Sequence, residues 1–156
     1  MKRLFILFFI LTLAGCSTAQ IPAYLQDKKP YVKRFYTTYD QTLAGTNAAL
    51  EQLGWKVEQI LDAAVYDRYQ AAEDDEKNSL IITEIRQTPL FMGTRYAKMN
   101  IYVRSKKNLS EIEIRYVTVL ATPFKNYEVY SNDAAVQRIF DRIESHLKPA
   151  TETPGN

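Results

Sequence analysis

Cysteine and histidine are almost missing from this chain: 156 residues hold one of each, Cys16 and His146. A lone cysteine excludes an internal disulfide, and a lone histidine leaves little for general base or metal chemistry. No Gly-x-Ser-x-Gly, no His-Glu-x-x-His and no phosphate-cradling glycine loop occurs. Hydrolytic, zinc and nucleotide chemistry thus lack their ordinary residues, so no enzyme activity, metal or cofactor is expected. His146 falls in the last turn of a predicted helix, where a cation suits the dipole. A basic block is lacking too, and Lys+Arg at 20 barely exceeds Asp+Glu at 18. Nucleic-acid binding rests on neutralising phosphates and is excluded on that ground. The N-terminal apolar run, residues 4–13, falls short of the ~20 residues that span a bilayer.

What is present begins with that run. Lys2 and Arg3 precede it, Thr12 alone interrupts it, and small residues close it, the pattern of a secretory signal peptide. Leu13-Ala14-Gly15-Cys16 resembles the lipobox of bacterial lipoproteins. The resemblance implies cleavage before Cys16, a diacylglyceryl group on its sulfur and acylation of the new amine, giving stable anchoring. Ser17 in place of Asp resembles the pattern of outer-membrane sorting, so the implied location is the inner leaflet of the outer membrane, facing the periplasm. Removing residues 1–15 leaves 141 residues, with Lys+Arg reduced to 18 against 18 acids. The mature chain is formally neutral and of single-domain length.

Residues 16–30 have little periodicity and read as the lipidated cysteine and a flexible tether. Residues 31–39 are aromatic and β-branched, as in a strand. Asp40 is the predicted N-cap of a helix over 41–53, with Leu43, Ala44, Ala48, Leu50 and Leu53 as its apolar side and Gly54 as its stop. A strand follows over 55–60, whereas 61–70 fits either strand or helix. The acids of 73–76 read as a solvated turn.

Residues 80–87, 94–104 and 111–121 are predicted strands of a meander. Ala97, Met99, Ile101 and Val103 alternate with Tyr96, Lys98, Asn100, Tyr102 and Arg104, giving one buried and one wet face. Pairing Val103 with Ile112 and Ile101 with Ile114 keeps both apolar faces together and sets Arg104 opposite Glu111. A two-residue shift is the alternative register. On the wet face, Glu111, Glu113, Arg104 and Arg115 read as a solvated salt-bridge ladder. The Tyr96, Lys98 and Tyr102 group reads as cross-strand packing, with a stacking surface as the alternative.

Val136, Ile139, Phe140, Ile143 and Leu147 form one stripe of a C-terminal helix capped by Ser131, Asn132 or Asp133. Pro149 ends it, and 148–156 reads as a disordered tail. The whole is α+β: a two-layer domain over 31–147, an antiparallel meander packed on two helices in the order β-α-β-β-β-β-α. That order, with Tyr39-Asp40 opening the first helix and Leu53-Gly54-Trp55 closing it, resembles small helix-grip-like envelope lipoproteins. Among them are domains of an accessory lipoprotein of the outer-membrane β-barrel assembly machinery.

In a meander the links after Gln87 and after Ala121 share one end of the sheet. Each carries Thr-Pro followed by apolar residues. Leu90, Phe91, Met92, Phe124 and Tyr127 are therefore the candidate partner-binding residues. The competing reading folds Phe91 and Phe124 inward as plugs of the core. The expected function is that of a non-enzymatic interaction or accessory protein of the cell envelope, touching the membrane through Cys16 and another envelope protein. The alternative is a small apolar-ligand binder with a helix-grip pocket.

Overall fold

The computed structural model describes residues 20–26, 29–66 and 77–148. The proposed lipobox, the acidic turn at 73–76 and the tail beyond Lys148 lie outside the described residues. The chain is α+β: the described residues form seven antiparallel strands in one sheet and two α-helices.

The sheet is built on one long hairpin, β5 (Gly93–Lys106) and β6 (Leu109–Ala121). Their register pairs Val103 with Ile112, Ile101 with Ile114 and Arg104 with Glu111, the unshifted alternative. β1 (Tyr31–Phe35) pairs with the first half of β6, and β2 (Val57–Asp62) with β3 (Asn78–Thr83), which pairs with the second half of β5. The other end of the hairpin is flanked by β4 (Arg86–Leu90) and β7 (Asn126–Val129).

The strand predicted over 80–87 is two strands. Between the Ile82–Asn100 and Arg86–Ala97 pairs, β3–β4 has three residues where β5 has two, so the strand must bulge. Thr83 stabilises the break: its hydroxyl accepts from the Met99 N–H and donates to the Met99 carbonyl. In the ambiguous stretch, Leu61 and Asp62 end β2, and Ala63–Val65 forms a 3-10 turn capped by the Asp62 carboxylate. Residues 67–70 lie outside the described residues. The segment after Ala121, read as irregular, supplies β7.

Helix α1 (Tyr39–Gln52) starts earlier than predicted because Thr38, not Asp40, is the N-cap, in a reciprocal box with Gln41. Its buried face is Thr42, Gly45, Thr46, Ala49 and Leu50, rotated from the predicted stripe. Small residues are needed there because α2 (Asp133–Leu147) lies against it, with Leu147 Cδ2 3.1 Å from where a Cβ on Gly45 would sit. α2 is capped by Asn132, whose side chain accepts from the Ala135 N–H, and buries Val136, Ile139, Phe140 and Ile143 as its stripe requires. Tyr31 ties down its N-terminus, accepting from the Asn132 N–H and donating to Asp133. Lys33, two residues further along β1, pairs with Glu144. Both helices cover one sheet face, where Ile101, Val103, Ile112 and Ile114 are fully buried.

Candidate functional site

The second sheet face is not wet. Asn100 and Tyr102 are fully buried, and Lys98, Glu111, Glu113 and Arg115 are each buried. Part of the cover is the chain itself. Residues 20–26, expected to be tether, lie across this face with Leu25 fully buried. Three polar side chains hold the segment. Asn100 accepts from the Leu25 N–H at 2.7 Å and donates to the Ala23 carbonyl, Arg115 donates to the Leu25 carbonyl, and Tyr102 donates to the Tyr24 hydroxyl. Ile21 and Leu25 pack with Tyr96, Val117 and Val119, while Tyr24 packs on the Tyr102 side and stacks on Tyr66 at 5.1 Å. For residues 20–26 the tether expectation is corrected: the apolar side chains of Ile21 and Leu25 and the backbone polar groups of Ala23 and Leu25 meet a face that offers both chemistries. The alternative stacking surface at Tyr96, Lys98 and Tyr102 is not open, because this strap occupies it.

The ladder beneath is correspondingly desolvated. Glu113 bridges Arg115 at 2.7 Å and Arg104 at 2.8 Å, and both guanidiniums lie on the Tyr102 ring, 4.7 and 4.9 Å from its centre. Burial disfavours the Arg115 charge, but the Glu113 hydrogen bond and charge outweigh it and drive its pKa upward. Burial likewise opposes the Glu111 carboxylate. Hydrogen bonds from Lys106 and Arg34 prevail and hold it below the ordinary range. This cluster holds the strap to the sheet through Arg115, and each of its carboxylates is paired with at least two cations.

The far end of the β5–β6 hairpin is different in kind. The β4–β5 turn and the β6–β7 turn sit side by side there, since Leu90 pairs with Gly93, Thr94 with Ala121 and Ala121 with Asn126. Gly93, at φ +149°, lets the two turns meet: a Cβ there would collide with the Ala121 carbonyl oxygen. Thr122 closes the second turn, its hydroxyl accepting from the Lys125 N–H and donating to the Lys125 carbonyl. All five residues selected from the sequence come together at this end, and all are exposed. Phe91 is about 102% exposed and Phe124 90%, which eliminates the plug reading. Met92, Tyr127, Val129 and Tyr130 extend the apolar surface.

Beside it lies a feature the sequence reasoning missed. Arg86, Arg95 and Arg138 line one cleft of about 230 Å³ on the helix side, with Trp55, Ala97, Tyr116 and Ile139 among its other walls. Arg86 is fixed by its bond to the Leu53 carbonyl at 2.7 Å and lies 3.9 Å over Trp55. None of the three arginines has a carboxylate partner among the described residues. The signal was Arg95 itself. It continues the Ala97-Met99-Ile101-Val103 face, so a charge in that register marks where helix cover stops. His146 lies elsewhere, exposed at the α1–α2 seam, its Cβ 3.6 Å from where a Cβ on Gly45 would sit.

Among the described residues no cluster of three or more His, Cys, Asp and Glu could hold a metal ion, and no helix is long and apolar enough to cross a membrane. Compared with known families and with characterised proteins, the chain matches no family model and no individual protein.

Proposed function

We propose that this chain is a lipid-anchored protein of the bacterial envelope, acylated at Cys16 and facing the periplasm, that works by contact rather than by catalysis. Leu13-Ala14-Gly15-Cys16 supports the anchor, together with a folded body that begins within a few residues of that cysteine. One observation carries the contact role: two adjoining turns hold Phe91, Met92 and Phe124 out in solvent. Leaving large apolar side chains exposed on adjoining turns forgoes burial worth about 1.5–3 kcal/mol each, which a partner surface would recover. The contact surface is therefore Leu90, Phe91, Met92, Phe124 and Tyr127, meeting another component of the envelope. The apolar-ligand alternative finds less support, because sixteen buried side chains pack between sheet and helices and the cleft at their edge is lined by three arginines.

Metabolic labelling tests the anchor. Wild-type protein should incorporate a clickable fatty acid and fractionate with membranes, whereas Cys16→Ala should remain unlabelled and accumulate as precursor. A Cys16→Ala chain that matures and takes up label would refute the anchored reading.

A further inference from the structure

We infer that the component met by the apolar loop end is the bilayer surface itself, with Phe91, Met92 and Phe124 seated among the lipids and the arginine cleft taking an anionic headgroup. The inference rests on acylation of Cys16. Ile21 packs against the Leu25, Val117 and Val119 cluster, on the half of β6 that leads to the loop end. Five residue steps separate it from Cys16, a reach of at most ~18 Å in any conformation. The loop end begins two residues past Val119, at Ala121, about 7 Å along the strand. The opposite turn, beyond Leu109, is ten residues away from Val119, about 33 Å, and out of reach. An acyl chain on Cys16 thus brings the loop end towards the lipid and leaves the Lys107 end facing away.

The chemistry of that end agrees with a lipid surface. Exposed aromatic and thioether side chains suit the headgroup–acyl boundary. Around them stand cations with no ion pair among the described residues: Arg95 and Arg138 in the cleft, Arg86 on Trp55, and Lys125 over the Tyr127 ring at 5.3 Å. Arg95 pairs with Thr88, two residues from the Leu90–Gly93 turn, so the cleft opens beside the apolar tips. Guanidiniums recognise phosphate oxygens in bidentate geometry, and anionic headgroups supply them at high density.

The test uses the acylated mature protein in vesicles of phosphatidylethanolamine and phosphatidylglycerol that carry spin-labelled lipid. Phe91→Cys, Phe124→Cys and the distal control Lys107→Cys each receive an environment-sensitive dye, Cys16 being blocked by its acyl group. Quenching should be several-fold stronger at 91 and 124 than at 107. Equal quenching at the three sites on vesicle-bound protein overturns the inference and leaves acylation standing. Capture of one envelope protein by a photocrosslinker at 91, without lipid quenching, also overturns it, in favour of a protein partner. If the chain is not acylated, the reading beneath has failed, and flotation of the Cys16→Ala mature chain still decides the surface. Binding to anionic vesicles should then fall about tenfold or more in Phe91→Ala/Phe124→Ala, and partly in Arg95→Gln/Arg138→Gln. No binding, or binding indifferent to these changes, contradicts the inference.

Discussion

Glu113 and Arg115 show how a residue's role depends on what lies over it. As alternating charges on a strand they read as a solvated ladder, worth little. With the strap over them, their side chains are 5% and 7% exposed, and the pair becomes expensive to break. Glu113→Ala leaves Arg104 and Arg115 side by side on Tyr102 without their shared carboxylate, and should cost about 3–5 kcal/mol. Arg34→Ala removes a partner whose side chain is 64% exposed and should cost less than about 1 kcal/mol. Urea unfolding of the two variants measures the contrast, and equal losses would show the cluster to be wet. Glu111 adds a pH dependence. Its folded carboxyl binds a proton less readily than its unfolded one, because Lys106 and Arg34 hydrogen-bond the anion. Its contribution is complete above the ordinary glutamate range near pH ~4.3 and drains as pH falls through the lower folded value. Glu111→Gln should flatten that acid limb, read as the change in urea midpoint between about pH 7 and about pH 3.

Among the elements, those with strong periodicity were legible from the residues and those defined by contact were not. The β5–β6 register followed from keeping two apolar faces together, and α2 from its single stripe and Asn132 cap. The break at Thr83 was hidden because a continuous apolar run looks the same whether or not its partner strand loses a residue. The strap was hidden for a deeper reason: Ile21, Tyr24 and Leu25 are too few, and too close to Pro22, to mark an element, and the segment takes its order from Asn100 and Arg115. Leu25→Ala should therefore lower stability by about 2–5 kcal/mol in denaturant unfolding, as for a core leucine. A loss within experimental error would return residues 20–26 to the status of tether. At the other end, Gly93→Ala should cost more than about 1 kcal/mol, from its positive φ and the Ala121 carbonyl in its path. Faster amide exchange confined to β4 and β7 would accompany it, since both turns hang on that contact.

On the scale of the whole molecule, the two ends of the long hairpin divide the work. The helices, β1, β2 and β3 bury the Lys107 half of the hairpin, and β4 and β7 extend the other half beyond the core as a thin apolar-tipped edge. Which loops would meet was legible from the meander. Whether Phe91 and Phe124 point inward was not, because it depends on where helix cover ends. Stability should register this division: Phe91→Ala and Phe124→Ala should each stay within about ±0.5 kcal/mol of the parent, like ordinary surface sites. The most direct test of the contact surface is thiol reactivity in cells. Single cysteines at 91, 124 and 107 are titrated with a maleimide admitted to the periplasm, and their rates compared with those on purified protein in detergent-free solution. Positions 91 and 124 should react several-fold more slowly in cells, with 107 unchanged. Equal slowing at all three, or protection at 107 alone, would contradict a contact surface at the loop end.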